Sequence, residues 1–500
     1  MSTIGKVASG VGWGTVSLVT VSLFQLVFMA VMARLLDPAT FGLVAVANVS
    51  LRFFYYFAQM GIGPALIQKP TLDDGDIRAA LALSLGISSA FFLLAACCAG
   101  PVESYFEMPG LAAVTRVLAL NFIISGFSAI SLALMRRYGQ FRAIAMIEIV
   151  AYVGGYGIVG LATAYAGAGV WALVCAFMSQ VTISAILSYA VVRYPIGLAH
   201  SPTQCAHFIQ FGGRYSVIGF VEFLGSNIDA LFVGKVFGSA PAGFYNRATL
   251  LANLPVQQPA TILTSVLFPI MSSVGNQPYK RSVGLQLSAL LVGSYAFAAG
   301  AGIYAAAPDI VKVLLGSKWL DTIPVLQVLA WWVGPLCVSH VAGVTLDSMN
   351  ELGLKLKIQS SLLALLAGLF LLRAPSASMA AVATIVVVTE WVRVIVMSLA
   401  LLHLLKIPAK DVGLIVACVG LLAASSGLSM ALAFQLVDAS TPSLIRLAVE
   451  LVTGCAGILA GLLAVRLLAA RLPAIHFLAL RAPNFARLLP RPRVLTSQGK

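Results

Sequence analysis

The stretch NIDALFVGKVFGSAPAGFYNRATLL, Asn227 to Leu251, decides how the chain is read. An acid, Asp229, sits inside an apolar run. A glycine-bearing turn follows, and a second apolar run opens with Tyr245, Asn246 and Arg247. Beside it, VMARLLDPATFGLVAVANVS (residues 31–50) forms an internal echo. With a shift of 201 positions Arg34 falls on Lys235 and Gly42 on Gly243, and both glycines open a hydrophobic segment. A repeat at that distance predicts two similar halves joined in the middle.

Composition then settles the solvent. The 500 residues are 60% hydrophobic and 10% charged, with a mean hydropathy of +0.98. Soluble domains run about 45–50% apolar and about 25% charged. There is too little polar surface here to face water, so the chain is predicted to be a polytopic membrane protein solvated mostly by lipid. The net charge of +14 fits the Lys and Arg that cytoplasmic loops collect and gives no reason to invoke nucleic acid as a partner. The cysteines lie mostly inside apolar runs, form no CxxC, and read as small core hydrophobes.

A span needs about 20 mainly apolar residues. That rule gives fourteen candidates, at roughly 11–33, 42–67, 79–99, 112–134, 143–165, 168–192, 213–235, 245–271, 284–306, 323–346, 357–373, 377–402, 412–436 and 444–469. Counting connections alternately from an inside N-terminus leaves only Arg34, Lys235, Arg247, Lys312, Lys318 and Arg373 outside, while the inside connections and the tail hold most of the bases. Both termini are therefore expected in the cytoplasm. The expected fold is all-α: two pseudosymmetric six-helix lobes plus two C-terminal helices. The N-lobe would cover 1–192 with spans one to six, and a cytoplasmic inter-lobe linker 193–212. The C-lobe would cover 213–403 with spans seven to twelve, followed by spans thirteen and fourteen at 404–470 and a basic cytoplasmic tail at 471–500. Within the linker, HFIQFG (His207–Gly212) suggests a short interfacial helix. The two halves run in the same sense, a parallel repeat about an axis along the membrane normal.

Polar groups at membrane depth are costly and usually face a bundle interior or a wet cavity. On span two, Asn48, Arg52, Tyr55 and Gln59 recur at spacings of four, three and four, one stripe of an α-helix. Glu222, Ser226 and Asp229 repeat the pattern on span seven, as do Asn246, Thr249, Asn253 and Gln257 on span eight. Glu148, Tyr152 and Tyr156 form a shorter stripe on span five, and Gln25 of span one joins the set. Such faces can satisfy one another inside a packed bundle. For Arg52 with Glu148, Glu222 and Asp229, a hydrated central cavity is the better account, because buried ion pairs seldom add net stability over an apolar core. Arg247 lies at the outer end of a span, where substrate contact and a structural role are both open. Glu390 with Arg393, and Arg446 with Glu450, are spaced to pair locally and read as structural. Glu103 and Glu107, and the run Asp73, Asp74 and Asp76, read as solvated surface in short loops. There is no P-loop motif and no HExxH, and the five histidines are scattered. No catalytic residue, metal ligand or cofactor is expected, and a transporter is expected rather than an enzyme.

Five runs carry a family resemblance: ARLLDPATFGLVAVA (Ala33–Ala47), GIGPALIQK (Gly61–Lys69), RRYGQFRAIAMIEI (Arg136–Ile149), GAGVWALV (Gly167–Val174) and NIDALFVGKVFGSAPAGFYNRA (Asn227–Ala248). In order and spacing they resemble the polysaccharide transporter branch of the multidrug/oligosaccharidyl-lipid/polysaccharide exporter superfamily, the Wzx-type repeat-unit flippases. The resemblance covers about the first 280 residues. It implies a multi-pass protein of the bacterial inner membrane that moves a polyprenyl-diphosphate-linked oligosaccharide between leaflets by alternating access of two lobes. It also implies a polymerase and a chain-length regulator as further partners, besides the lipid-linked substrate and membrane lipids. Under it, Arg52 would meet the diphosphate, since arginine offers bidentate donors to phosphate oxygens. Asn48, Tyr55, Gln59, Gln25, Glu148, Tyr152, Asn253, Gln257 and Arg247 would line the cavity. Glu222 and Asp229 would bind a coupling proton or sodium. A drug or cation antiporter or a lipid II flippase of the same superfamily is the alternative, and a membrane glycan polymerase is a more distant one.

Overall fold

The computed structural model describes residues 3–58, 62–69, 71–197, 223–262, 267, 271, 278–373, 378–437 and 441–469. Gln59, Glu222, the rest of the linker with its His207–Gly212 run, and the tail lie outside the described residues. The helices in chain order are α1 (Thr3–Leu35), α2 (Pro38–Ala58), α3 (Ile62–Gln68), α4 (Asp74–Phe106), α5 (Leu111–Ala119), α6 (Asn121–Arg137), α7 (Phe141–Tyr152), α8 (Leu161–Tyr165) and α9 (Val170–Val191). Helical residues 223–237 form α10. There follow α11 (Ser239–Ile262), α12 (Pro278–Leu314), α13 (Thr322–Ser348), α14 (Leu352–Arg373), α15 (Met379–Leu405), α16 (Ala409–Leu436) and α17 (Ser443–Ala469). No strand occurs among the described residues.

Eleven helical segments among the described residues are long and apolar enough to cross a membrane. The expected spans two, seven and eight fall on α2, α10 and α11, the helices that carry the polar stripes. Large apolar side chains point outward in register: Leu428, Leu432 and Leu436 of α16 step four residues at a time and are 64%, 56% and 83% exposed. A stripe of that kind is stable only against lipid or another apolar surface. The chain is an all-α, multi-pass membrane protein.

It divides into two compact units: Met1–Asn246 with Leu314–Trp319, and Arg247–Val313 with Leu320–Lys500. In the first unit, local chemistry sets where helices start and stop. Asp73 caps α4 in a reciprocal box with Asp76, so two otherwise orphaned N–H groups are satisfied. Asp76 is buried and pairs with Lys69, which removes it from the solvated surface expected for this acidic run. Glu103 is likewise helical and accepts the Ala112 N–H at 2.6 Å, closing the start of α5. Glu107 ends α4 in the left-handed region (φ 56) and receives Lys235 Nζ at 2.7 Å. That ammonium, by its hydrogen bond and then its charge, holds the exposed Glu107 carboxyl below the usual carboxylate range.

Span five is a composite. Between α7 and α8 the run VGGYGIVG, Val153–Gly160, widens into a π-helix. Its glycines permit close approach to α9: a Cβ at Gly155 would lie 2.5 Å from the Gln180 backbone N, and one at Gly160 2.8 Å from the Ala176 Cβ. Beyond α9, Tyr194 anchors the chain. It is buried in a cluster with Ile62, Leu66, Leu81, Ile130 and Leu134, and its hydroxyl donates to the Phe127 carbonyl at 3.1 Å. Burial pushes its phenol up to about 12.

The second unit is arranged around α13, the most buried of the spanning helices. Gly334 faces the Phe297 ring, and a Cβ at Gly300 would lie 2.5 Å from the Ala330 carbonyl oxygen. These close crossings follow the small-residue rule for helices in lipid. Glu390 pairs with Arg393 at 3.1 Å and accepts the Ser339 hydroxyl at 2.5 Å, the local arrangement that the spacing predicts.

Candidate functional site

A cavity of about 350 Å3 opens within the first unit between α2, α3, α4, α6 and α9. That size falls in the ~300–1,000 Å3 range of small-ligand sites. Its walls are unusually rich in hydroxyls: Ser84 and Ser88 from α4, Ser125 and Ser128 from α6, and Ser184 from α9, with the Gln180 amide alongside. Tyr55 and Phe122, whose rings are 6.4 Å apart, form an aromatic wall. Arg136, exposed in the last turn of α6, supplies the cation. At 1.5 Å per residue it lies about 16 Å along the helix from Ser125, so one end of the cavity is cationic and the rest neutral and polar.

Several features of the sequence build these walls. On α6 the serines and Arg136 fall at spacings of three and four or multiples of them, which keeps them on one face. Gly126 lets α4 and α6 close up, because a side chain there would meet Ser88 and the Ser84 carbonyl. Ser84 seals the crossing by donating to the Gly126 carbonyl at 2.8 Å. The π segment brings α9 close enough for Gln180 and Ser184 to reach the cavity. Arg137 turns away from it and donates to the Leu66, Ile67 and Lys69 carbonyls at 2.8, 3.2 and 2.5 Å. It thereby satisfies the last carbonyls of α3 and fixes Ile62, Gly63 and Ile67 as the cavity's rim.

The residues expected from the sequence are distributed more widely. Tyr55 lines the cavity. Arg52 is exposed and Asn48 half-buried on the adjoining surface of α2, and Gln25 is exposed on α1. Glu148 is exposed and accepts the Ser17 hydroxyl at 2.6 Å. Tyr152 is buried, stacked on Tyr156 at 4.8 Å and edge-on to Phe28 at 6.4 Å, so it belongs to the packing between α1 and α7. Asp229 is buried and accepts the Tyr245 hydroxyl at 2.7 Å. In the second unit Arg247 and Asn253 are half-buried and Gln257 is exposed on α11. The serines, Gln180 and Arg136 are the cavity residues that the sequence reading passed over. The four-residue steps Ser84–Ser88 and Gln180–Ser184 were the available signal.

A family model described as polysaccharide biosynthesis protein matches residues 31–324, more than half of the chain and all of the cavity-lining residues. The chain belongs to this family. Among curated relatives, it is 26% identical over 330 residues to the lipopolysaccharide biosynthesis protein WzxC of Escherichia coli K12, covering 66% of this chain and 67% of that protein. It is 24% identical over 333 residues to the teichuronic acid biosynthesis protein TuaB of Bacillus subtilis 168, covering 65% and 68%. With the succinoglycan biosynthesis transport protein ExoT of Rhizobium meliloti 1021 it shares 25% over 328 residues, 65% of each. Among solved structures, the family's fold here resembles the lipid II flippase MurJ in an inward closed conformation (TM-score 0.68, 12% identity, 88% of this chain and 96% of that one). It also resembles, in fold, the inward-facing conformation of a multidrug resistance MATE family transporter of the MOP superfamily (TM-score 0.55, 15% identity, 75% and 94%).

Proposed function

We propose that this chain carries a polyprenyl-diphosphate-linked oligosaccharide repeat unit across the bacterial inner membrane for the assembly of an exopolysaccharide, O-antigen or capsule. The observation that carries the reading is the family match over residues 31–324, which spans the hydroxyl-lined cavity. The cavity's chemistry suits such a cargo. Arg136 offers paired N–H donors for diphosphate oxygens, the serines and Gln180 offer exchangeable hydrogen bonds for sugar hydroxyls, and Tyr55 with Phe122 offers an apolar face. Arg52 supplies a second cation on the neighbouring surface of α2. Movement by alternating access would use fourteen spans with both termini cytoplasmic. The lobes would be residues 1–192 and 213–403, joined by 193–212 and followed by the hairpin of 404–470 and the tail of 471–500. Glu222 and Asp229 remain the proposed binders of a coupling ion, and a polymerase and chain-length regulator the proposed partners.

Deletion in the native bacterium tests this directly. Lipid-linked repeat units should accumulate on the cytoplasmic side and surface polysaccharide should fall. The wild-type chain should restore export, and Arg136→Gln should restore it at least about tenfold less well, the factor that corresponds to losing about 1.4 kcal/mol of phosphate interaction. Normal polysaccharide with new sensitivity to cationic drugs would refute the reading in favour of an antiporter.

A further inference from the structure

The most completely buried carboxylate among the described residues belongs to the second unit. Glu450 of α17 is 0% exposed and Asp309, next to Pro308 near the end of α12, is 1% exposed. Neither Glu450 oxygen meets a hydrogen-bond donor, and neither does Asp309 Oδ2. Arg446, one turn before Glu450 on α17, reaches Asp309, so the two buried carboxyls are neighbours. Two carboxylates have only acceptors to offer each other, so they can hydrogen-bond only when one of them carries a proton.

Charge leads to the same place. Among the described residues one cation faces the pair: Arg446, one turn before Glu450, has its Nε 3.9 Å from Asp309 Oδ2 and its guanidinium 5.4 Å from the Phe434 ring centre. The spacing of Arg446 and Glu450 suggests a local pair on α17, and the structure adds Asp309 of α12 as an ion-pair partner of the same arginine. Two ionised acids with one arginine would leave a net negative charge in a water-excluded place, which is severely unfavourable. The other nearby charges do not compensate. Lys312 of α12 is exposed. The charged groups of α16, Lys410 and Asp411, lie at its opposite end, about 35 Å along the helix from Phe434 at 1.5 Å per residue. Among the described residues no group of three or more His, Cys, Asp or Glu is arranged to hold a metal ion, so two acids alone would under-coordinate a hard cation, whereas one proton needs only two oxygens.

We propose that Asp309 and Glu450 form a proton-binding site between α12 and α17. One proton is shared between the two carboxyls, and Arg446 neutralises the single charge that remains. The proton supplies the donor that both acids lack and brings the cluster to zero net charge. It leaves and returns without bond making elsewhere, so the pair gives this end of the bundle a two-state contact: joined when protonated, mutually repelling when not. This inference depends neither on the identity of the cargo nor on the transport reading.

Infrared difference spectroscopy of the full-length protein in lipid nanodiscs tests it. At neutral pH the wild type minus Glu450→Gln spectrum should show the carbonyl stretch of one protonated carboxylic acid, shifted in heavy water. In Glu450→Gln, Asp309 is left facing Arg446 alone and ionises. Asp309→Asn should remove the same band, since Glu450 then faces Arg446 alone, and this second variant guards against a folding defect in the first. In the wild type the band should disappear as pH is raised at constant sodium. A wild-type spectrum in which neither substitution removes a band would overturn the proposal. So would a band that sodium abolishes at constant pH, which would make the site one for a metal cation.

Discussion

Asp229 shows how a buried ionisable residue can be read at two levels. Its carboxylate, inside α10, accepts the Tyr245 hydroxyl at 2.7 Å from the start of α11, and both residues are buried. That bond alone justifies the acid structurally, since a buried acceptor without a donor costs about 1–3 kcal/mol. Tyr245→Phe should therefore lower thermal stability by about that amount, read as a fall in melting temperature of the purified protein. Asp229→Asn keeps an oxygen acceptor for the same hydroxyl and should cost less. If Asp229 also binds a coupling ion, the Asn variant will be folded yet lose the pH or sodium dependence of export; retained dependence would assign it to packing alone. The serines of the cavity show the opposite limit. In a helix, a serine can satisfy itself on a carbonyl three or four residues back, as Ser128 does on Ser125 at 3.2 Å. Sequence spacing therefore cannot say whether such a hydroxyl faces a ligand or its own helix, whereas arginine or glutamate at membrane depth demands an outside partner. That is why the polar stripe of α2, with Tyr55 in the cavity wall, stands out in the sequence and the serines of α4, α6 and α9 do not.

Between elements, the internal repeat becomes a physical contact. Gly42 near the start of α2 and Gly243 near the start of α11 correspond under the 201-residue shift, as do Pro38 and Ser239. A Cβ at Gly42 would fall on the Ser239 carbonyl oxygen and lie 2.7 Å from the Gly243 backbone N. One at Gly243 would fall on the Pro38 carbonyl oxygen and lie 3.2 Å from the Gly42 backbone N. The contact is reciprocal, as an isologous interface is: each repeat presents its glycine to the other's first helical residue. The turn glycine itself, Gly238, has φ +86 and simply makes the bend. The glycine that close approach requires is Gly243, five residues further on. The atoms in the way are backbone, so no side-chain rotation relieves the clash. Gly42→Ala should cost about 1–3 kcal/mol or more, and Gly243→Ala the same. Because both substitutions open one shared crossing, the double variant should be less destabilised than the sum. Additive melting shifts would show that the two glycines act independently.

At the scale of the whole molecule, the all-helical class of the spans follows from composition, because lipid forces every spanning segment to satisfy its own backbone. What periodicity cannot supply is which connection is recruited by which unit. Leu314–Trp319, the link between α12 and α13, belongs to the first unit although both of those helices lie in the second. The reason is Trp319. It is 0% exposed, donates its indole N–H to the Ala33 carbonyl at 2.8 Å, and meets Phe41 and Phe244 edge-on at 5.2 and 5.8 Å. Lys318 adds an ion pair to Asp37 at 2.9 Å that is too exposed to contribute much. The segment thus packs against the ends of both repeat hairpins, beside the Gly42 and Gly243 crossing. Trp319→Ala removes a large buried ring and a hydrogen bond together, with an expected cost of about 3–5 kcal/mol. If the indole holds the hairpin ends closed, a cysteine introduced at Ala33 should react with a membrane-impermeant thiol reagent much faster in the Trp319→Ala background than in the parent. Export should then fall even where the variant protein remains folded in the membrane. Trp319→Phe, which keeps most of the ring volume but not the N–H, separates the two contributions. Labelling close to the parent rate would assign the closure to packing, and labelling close to the Ala variant would assign it to the single bond at Ala33.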